Sequence, residues 1–181
     1  IFIVLLLSEL ILIFNKISVI KKSLIKDFGI SSPKIAVLSI NPHAGDEGII
    51  GDDDQKILIP SLEEFSEDNN LIFGPFPSDS FFGSNKYKSF DAVLAIYHDQ
   101  GLIPFKTISF GSGVNFTAGL DVIRTSPDHG TGYDIAGKNI ADPSSFRSAI
   151  YTACKIYNNR ISYEKNNSNP LKVSNLKSVK K

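Results

Sequence analysis

A chain of 181 residues with 42% hydrophobic content is long enough to bury a core as one domain or as one lobe of a larger enzyme, which excludes a disordered chain. Nineteen basic residues offset nineteen acidic ones, so no net field draws the protein to nucleic acid or an anionic membrane, and a small-molecule partner is expected. The single cysteine, Cys154, excludes an internal disulfide framework and a cysteine-rich zinc site; it lies in helically spaced apolar sequence and is expected to be a small buried thiol.

The opening run Ile1-Phe-Ile-Val-Leu-Leu-Leu7 reads as a buried strand or helix start. Glu9 and Asn15 interrupt it short of the ~20 apolar residues of a membrane span, and it lacks a basic flank and cleavage site. The sequence contains no methionine, and the chain is expected to be a fragment with an upstream part. From Leu10, the residues Ile13, Phe14, Ile17, Ile20 and Leu24 recur at three- and four-residue steps with lysines between them, predicting an amphipathic helix that Gly29 stops.

Lys34-Ile-Ala-Val-Leu-Ser-Ile40 is a short continuous apolar run of the kind found in buried parallel strands, and it leads into the polar loop Asn41 to Gly48. Loops at that end of a strand are where α/β proteins bind ligands. A helix is predicted over Asp54 to Glu67 with Pro60 accommodated, then a brief strand near Leu71 and a loop from Gly74 to Asp79. The triple acid Asp52-Asp53-Asp54 reads as a helix N-terminal cluster that suits the helix dipole, or as a metal site.

A second buried strand, Asp91 to Tyr97, again ends in a polar loop, His98-Asp99-Gln100-Gly101. Two further strands are predicted at Val114-Asn-Phe-Thr117 and Val122-Ile-Arg-Thr125, and the turn-rich loop Asp128 to Gly137 leads to a last helix. Asp142 caps it, Pro143 suits its first turn, and Phe146, Ile150, Cys154 and Tyr157 form its apolar stripe. The Asn-, Ser- and Lys-rich tail from Asn166 is expected to be solvated and frayed. There are no internal repeats.

All three histidines fall in polar, glycine-containing loops, two of them just after buried strands. A loop imidazole serves as a structural hydrogen bonder or as a metal ligand. With Asp79 and Asp99 nearby in polar segments, two imidazoles and one or two carboxylates can converge on zinc, manganese or cobalt. Lys106, Asn115 and Arg124 follow at nine-residue intervals; beside a metal the cations would hold phosphate or carboxylate, and otherwise they are solvated surface charges. Asp134, after His129-Gly130, is either an ordinary turn residue or an acceptor for a cofactor ribose.

The strings Asn41-Pro-His-Ala-Gly45, Ala95-Ile-Tyr-His-Asp-Gln-Gly101 and Arg124-Thr-Ser-Pro-Asp-His-Gly-Thr131 resemble, in order and spacing, the signature segments of the 4-hydroxythreonine-4-phosphate dehydrogenase family. The similarity runs from about Phe28 to Tyr157. It implies a three-layer α/β/α lobe of an isopropylmalate dehydrogenase-like two-domain fold, with the N-terminal domain largely missing. Residues 1–130 would form the metal- and substrate-binding, dimerising lobe, and residues 131–165 the cofactor loop and a helix returning to the first domain.

The resemblance further implies a cytoplasmic homodimer whose active sites lie at the interface. His43 and His98 match metal ligands, with His98 supplied by the partner subunit. Lys106, Asn115 and Arg124 match substrate-binding residues, Asp79 and Asp99 match acidic residues near the metal and are, with Lys106, the catalytic candidates, and Gly130 and Asp134 belong to a loop that resembles an adenosine-binding loop. The implied cofactors are NAD, or NADP, and a divalent metal (Zn, Mn, Co or Mg). The implied reaction is oxidation of 4-phosphohydroxy-L-threonine at its C3 hydroxyl, with Lys106 assisting proton transfer or holding phosphate, followed by decarboxylation to 3-amino-2-oxopropyl phosphate for vitamin B6 synthesis.

One departure stands out: the family's third metal histidine lies just before the first helix, where residues 1–9 contain none. The competing expectations are a relative that oxidises another phosphorylated hydroxy acid, such as a threonate or erythronate phosphate, and a truncated non-catalytic remnant. A generic α/β metal-binding domain is the least specific of the readings.

Overall fold

The computed structural model describes residues 2–4, 11–66, 71–109 and 111–170. Its centre is a four-stranded parallel sheet in the order β1-β4-β2-β3, formed by β1 (Phe2–Val4), β2 (Ile35–Leu38), β3 (Ile72–Phe76) and β4 (Ala92–Ala95). β2 and β4 are buried at every residue, as expected of central strands covered on both faces, and this burial explains their unbroken apolar sequence.

Helix α1 (Ile11–Lys26) packs Ile13, Ile17, Ile20 and Leu24 on one face of the sheet, together with Leu58, Leu62 and Phe65 from the helical segment 54–66 and with Ile35, Val37, Leu94 and Ile96. The opposite face carries Ala36, Leu38, Val93 and Ala95 under Phe81 of α3 (Ser78–Gly83), flanked by Phe76, Phe82, Tyr87 and Phe90. Helix, sheet and helix therefore form the three layers predicted. α1 ends as its sequence indicates: Asp27 and Phe28 N–H groups return to the Ser23 carbonyl, and Gly29 takes φ 72°, which an L side chain resists.

Several elements differ from expectation. The Asp54 to Glu67 helix begins as a π-turn, Asp54–Leu58, and continues as α2 (Ile59–Ser66), with Glu67 outside the described residues. Gly74 to Phe76 extends β3 and is not loop; Gly74 has φ 147°, and a Cβ there would stand 2.5 Å from the Val37 carbonyl oxygen.

His98 does not sit in a loop. It opens helix α4 (His98–Ser109), which the sequence conceals by placing Gly101 and Pro104 inside it. Pro104 is in the second turn, where its ring removes one helical hydrogen bond and the rest of the helix tolerates the loss.

The predicted strand Val122 to Thr125 is displaced: β5 (Val114–Phe116) pairs antiparallel with β6 (Thr125–Pro127), putting Asn115 opposite Ser126. Helix α5 (Ser144–Asn167) buries Ser145, Ala149 and Ile156, whereas Phe146 (56% exposed), Ile150 (48%) and Tyr157 (59%) face outward beside an exposed Cys154. The expected apolar stripe is thus the outer face, and Cys154 is not a core thiol. Periodicity identifies a stripe but does not identify what covers it. The helix also extends past Asn166; the tail beyond residue 170 lies outside the described residues.

α5 is tied to α1 by a buried knot. Arg160 Nε donates to Asp27 Oδ1 at 2.6 Å, Ser23 Oγ donates to Asp27 Oδ2 at 2.5 Å, and Arg160 also reaches the carbonyls of Asp121 and Leu120. No described helix is long and apolar enough to cross a membrane.

Candidate functional site

At the carboxyl ends of β2 and β4 lies an open cleft of about 530 Å³, lined by Ser39, Ile40, Asn41, Pro42, His43, Ser78, Asp79, Tyr97 and Gln100. This is the edge at which parallel sheets present ligand-binding loops.

His43 stands in a left-handed turn. His43, Ala44, Gly45, Asp46 and Glu47 have φ between 43° and 82°, four of them non-glycine. Each non-glycine residue in that region costs roughly 1–2 kcal/mol, so the turn persists only because its surroundings over-determine it. Gly45 is buried against the Gly51 carbonyl, and the Asn41 carboxamide lies where any Gly51 side chain would go. Ile49 and Ile50 N–H groups close the turn on the carbonyls of Asp46 and Gly45.

The triple acid has three separate tasks. Asp52 pairs with Lys56 one helical turn on, and this hydrogen bond lowers its pKa below the ordinary carboxylate value. Asp53 accepts from Asn41 Nδ2 at 3.1 Å. Asp54 is fully buried and accepts the Ile40 and Asn41 N–H groups at 2.7 and 2.8 Å. Asp53 and Asp54 head the helical segment as the helix-cluster reading has it, and Asp54 in addition anchors the His43 corner; the sequence does not signal this second role, because nothing local links residue 54 to residue 41. Burial, and secondarily Asp53 and Asp54, raise the pKa of Tyr97 above the usual phenol value.

His43 and Asp79 share the cleft wall; His98 and Asp99 are absent from its lining and pair with each other, His98 Nδ1 to Asp99 Oδ1 at 2.7 Å. That pair fixes the imidazole through one nitrogen and leaves Nε2 for a ligand, an arrangement common at metal-binding histidines. Among the described residues no three His, Cys, Asp or Glu side chains converge as a cation site. The donor types suit a divalent metal, while the number on one copy's cleft falls short.

The remaining candidates are dispersed. Lys106, in the last turn of α4, lies 3.5 Å from Asp128, joining α4 to the segment after β6. Arg124 donates to Thr117 Oγ1 at 3.0 Å, and Asn115 is exposed on β5. Gly130 and Asp134 lie in an exposed loop, where His129 Nδ1 bonds the Gly130 carbonyl, the structural role open to a loop histidine. The base of that loop is held by Ser145, whose hydroxyl accepts the Asp128 N–H and donates to the Gly113 carbonyl.

Parallel strands covered on both faces, with a cleft at their carboxyl ends that carries an imidazole, a carboxylate, a phenol and carboxamides, place the chain among α/β folds of the ligand-binding type. Residues 8–153 match the family model of the pyridoxal phosphate biosynthetic protein PdxA, and the chain belongs to that family.

A 4-hydroxythreonine-4-phosphate dehydrogenase of Bacteroides thetaiotaomicron is 51% identical over 161 residues, 89% of this chain and 44% of that protein. One from a Sulfurihydrogenibium species is 53% identical over 141 residues, 78% of this chain and 43% of its own length. The crystal structure of the Klebsiella pneumoniae 4-hydroxythreonine-4-phosphate dehydrogenase superposes with a TM-score of 0.71 at 40% identity, covering 82% of this chain and 44% of that one. A terephthalate 1,2-cis-dihydrodiol dehydrogenase of Burkholderia xenovorans shares the fold at 29% identity, TM-score 0.61, over 85% of this chain and 52% of its own. The chain spans less than half the length of the curated relatives it matches.

Proposed function

We propose that this chain forms the metal- and substrate-binding part of an NAD-dependent 4-hydroxythreonine-4-phosphate dehydrogenase, a cytoplasmic homodimer that makes 3-amino-2-oxopropyl phosphate for vitamin B6 synthesis. The observation that carries the reading is the placement of two family strings, those containing His43 and His98, at the carboxyl ends of adjacent strands β2 and β4, with His43 and Asp79 on one cleft wall.

His98 supports the dimeric reading. Held by Asp99 outside the lining of its own cleft, it is a ligand offered to a second copy, and His43 with Asp79 would receive the partner's equivalent. Asp99 then orients that imidazole, and Asp79 and Asp99 remain, with Lys106, the catalytic candidates. Lys106, Asn115 and Arg124 would bind the substrate's anionic groups, with Lys106 also placed to assist proton transfer. Gly130 and Asp134 would contact NAD, or NADP, in the division of residues 1–130 as metal-binding lobe and 131–165 as cofactor segment.

A divalent cation (Zn, Mn, Co or Mg) held by His43 and Asp79 with a second copy's His98 would supply Lewis acidity at the substrate hydroxyl, and NAD would supply the hydride acceptor. The β-keto acid so formed loses carbon dioxide. The shared fold of the dihydrodiol dehydrogenase shows that architecture leaves the substrate open, so the substrate assignment rests on the family strings.

The test is NADH formation from 4-phosphohydroxy-L-threonine with Zn²⁺ or Mn²⁺, on this chain and on a version extended upstream to the length of its relatives. Turnover that is lost in His98→Ala supports the reading. Threonate or erythronate phosphate turning over in its place moves the assignment to that substrate. Mixing inactive His43→Ala and His98→Ala copies should restore about a quarter of wild-type activity if each site draws one histidine from each subunit; no recovery on mixing rejects the shared site.

A further inference from the structure

The backbone corner before His43 is bonded by side chains drawn from three segments. Asp54 takes the N–H groups of Ile40 and Asn41 at 2.7 and 2.8 Å. Ser39 Oγ donates to the Asn41 carbonyl at 2.8 Å, and Gln100 Nε2 donates to the Ser39 carbonyl at 2.8 Å. The other end of the same carboxamide, Gln100 Oε1, accepts the Ile96 N–H at 2.8 Å and the Tyr97 N–H at 3.4 Å. One side chain thus connects Ser39, the residue that follows β2, to the turn that delivers His98.

Two features make this more than ordinary loop bonding. The carboxylate of Asp54 is removed from water entirely, with both oxygens spent on adjacent N–H groups of a single corner. A buried charge is expensive unless its hydrogen bonds are complete, so the corner's position is strongly specified. The left-handed run from His43 to Glu47 starts directly after that corner, and its own conformational preference works against it.

We infer that Asp54 and Gln100 are positioning residues of this site: Asp54 fixes the corner that aims His43, and Gln100 sets the separation between the His43 corner and the His98 turn. What the two positioned histidines serve rests on the function proposed above; that they are held in register by these two side chains does not.

Two isosteric variants separate the roles. Gln100→Glu keeps an acceptor for Ile96 and Tyr97 but sets an oxygen against the Ser39 carbonyl, cutting only the link between the strands. Asp54→Asn keeps one acceptor and turns an NH₂ group against the other N–H. The readouts are amide hydrogen exchange at Ile40, Asn41, Ile96 and Tyr97, the ¹H–¹⁵N imidazole signals of His43 and His98, and Zn²⁺ affinity.

In Asp54→Asn, exchange accelerates at Ile40 and Asn41 alone. In Gln100→Glu, both imidazole signals shift while Ile96 and Tyr97 stay protected. Zn²⁺ binding weakens about 10–100-fold in each, the usual loss when a ligand's supporting bond is removed. A folded Gln100→Glu chain with wild-type imidazole signals and wild-type exchange overturns the inference, and this variant decides the matter if Asp54→Asn does not fold. If the wild-type protein fails to bind Zn²⁺ or to oxidise any phosphorylated hydroxy acid, the functional reading falls, and the exchange and imidazole readouts still decide the clamp.

Discussion

The two polar regions of this molecule are built in opposite ways. The corner from Ser39 to Gly51 is strained yet fixed, its backbone bonded by the side chains of Asp54, Ser39 and Gln100 and its glycines packed against neighbouring atoms. The segment from Gly130 to Asn139 is held by short-range turns, with Tyr133 84% exposed and no neighbour within reach of Cβ atoms at Gly130 or Gly137. Under the proposed function the fixed corner would hold ligands at set distances, and the looser loop would gain its order from the cofactor it binds.

The largest expected effect comes from dismantling the rigid region. Asp54→Ala leaves two part-buried N–H groups without an acceptor, at roughly 1–3 kcal/mol each, so urea unfolding should show a loss of about 2–6 kcal/mol. A loss near zero would mean that water replaces the carboxylate and that the corner is less fixed than its bonds imply.

Ser145→Ala attacks the base of the other region. Asp128 N–H and the Gly113 carbonyl lose their shared hydroxyl, which should lower stability by about 1–2 kcal/mol and speed proteolytic cleavage between residues 129 and 141. Cleavage elsewhere first would show that this loop is not the looser of the two.

His43→Gly sharpens the contrast between stability and function. Glycine relieves the left-handed strain at φ 54° but adds freedom to the unfolded chain, so the melting curve should show anything from no change to a gain of about 1 kcal/mol, with turnover lost. In the exposed loop, Asp134→Ala should alter stability by no more than about 0.5 kcal/mol, while NAD affinity measured by titration falls.

The smallest effect is spectroscopic. Since the pKa of Tyr97 is raised by burial first and by Asp53 and Asp54 second, the folded protein holds that proton more tightly than the unfolded chain. The associated stability is present below the ordinary phenol value of 10.0 and is lost as pH rises through the higher folded value. Phenolate absorbance should show Tyr97 titrating late, and Asp53→Asn should bring it earlier.

Much of the fold was legible in the sequence because burial on both faces of a sheet leaves a local trace. Unbroken apolar runs marked β2 and β4, and the three- and four-residue steps from Ile13 to Leu24 marked α1. α4 was not legible: Gly101 and Pro104 argue against a helix, and only packing against β1 and β4 overrides them. The outward stripe of α5 misled for a related reason, since an apolar face looks the same in sequence whether it is covered or not.

For the site, the sequence by itself determined which residue types arrive at the strand ends and in what order, through the three motif strings and the family they mark. Tertiary structure alone decided that His43 shares its cleft with Asp79, that His98 turns to Asp99, and that Asp54 and Gln100 hold the corner between them. The division follows from range. Periodicity and motifs report interactions between residues a few positions apart, whereas a hydrogen bond from residue 100 to residue 39, or from residue 41 to residue 54, exists only once the chain has folded and leaves no local pattern to read.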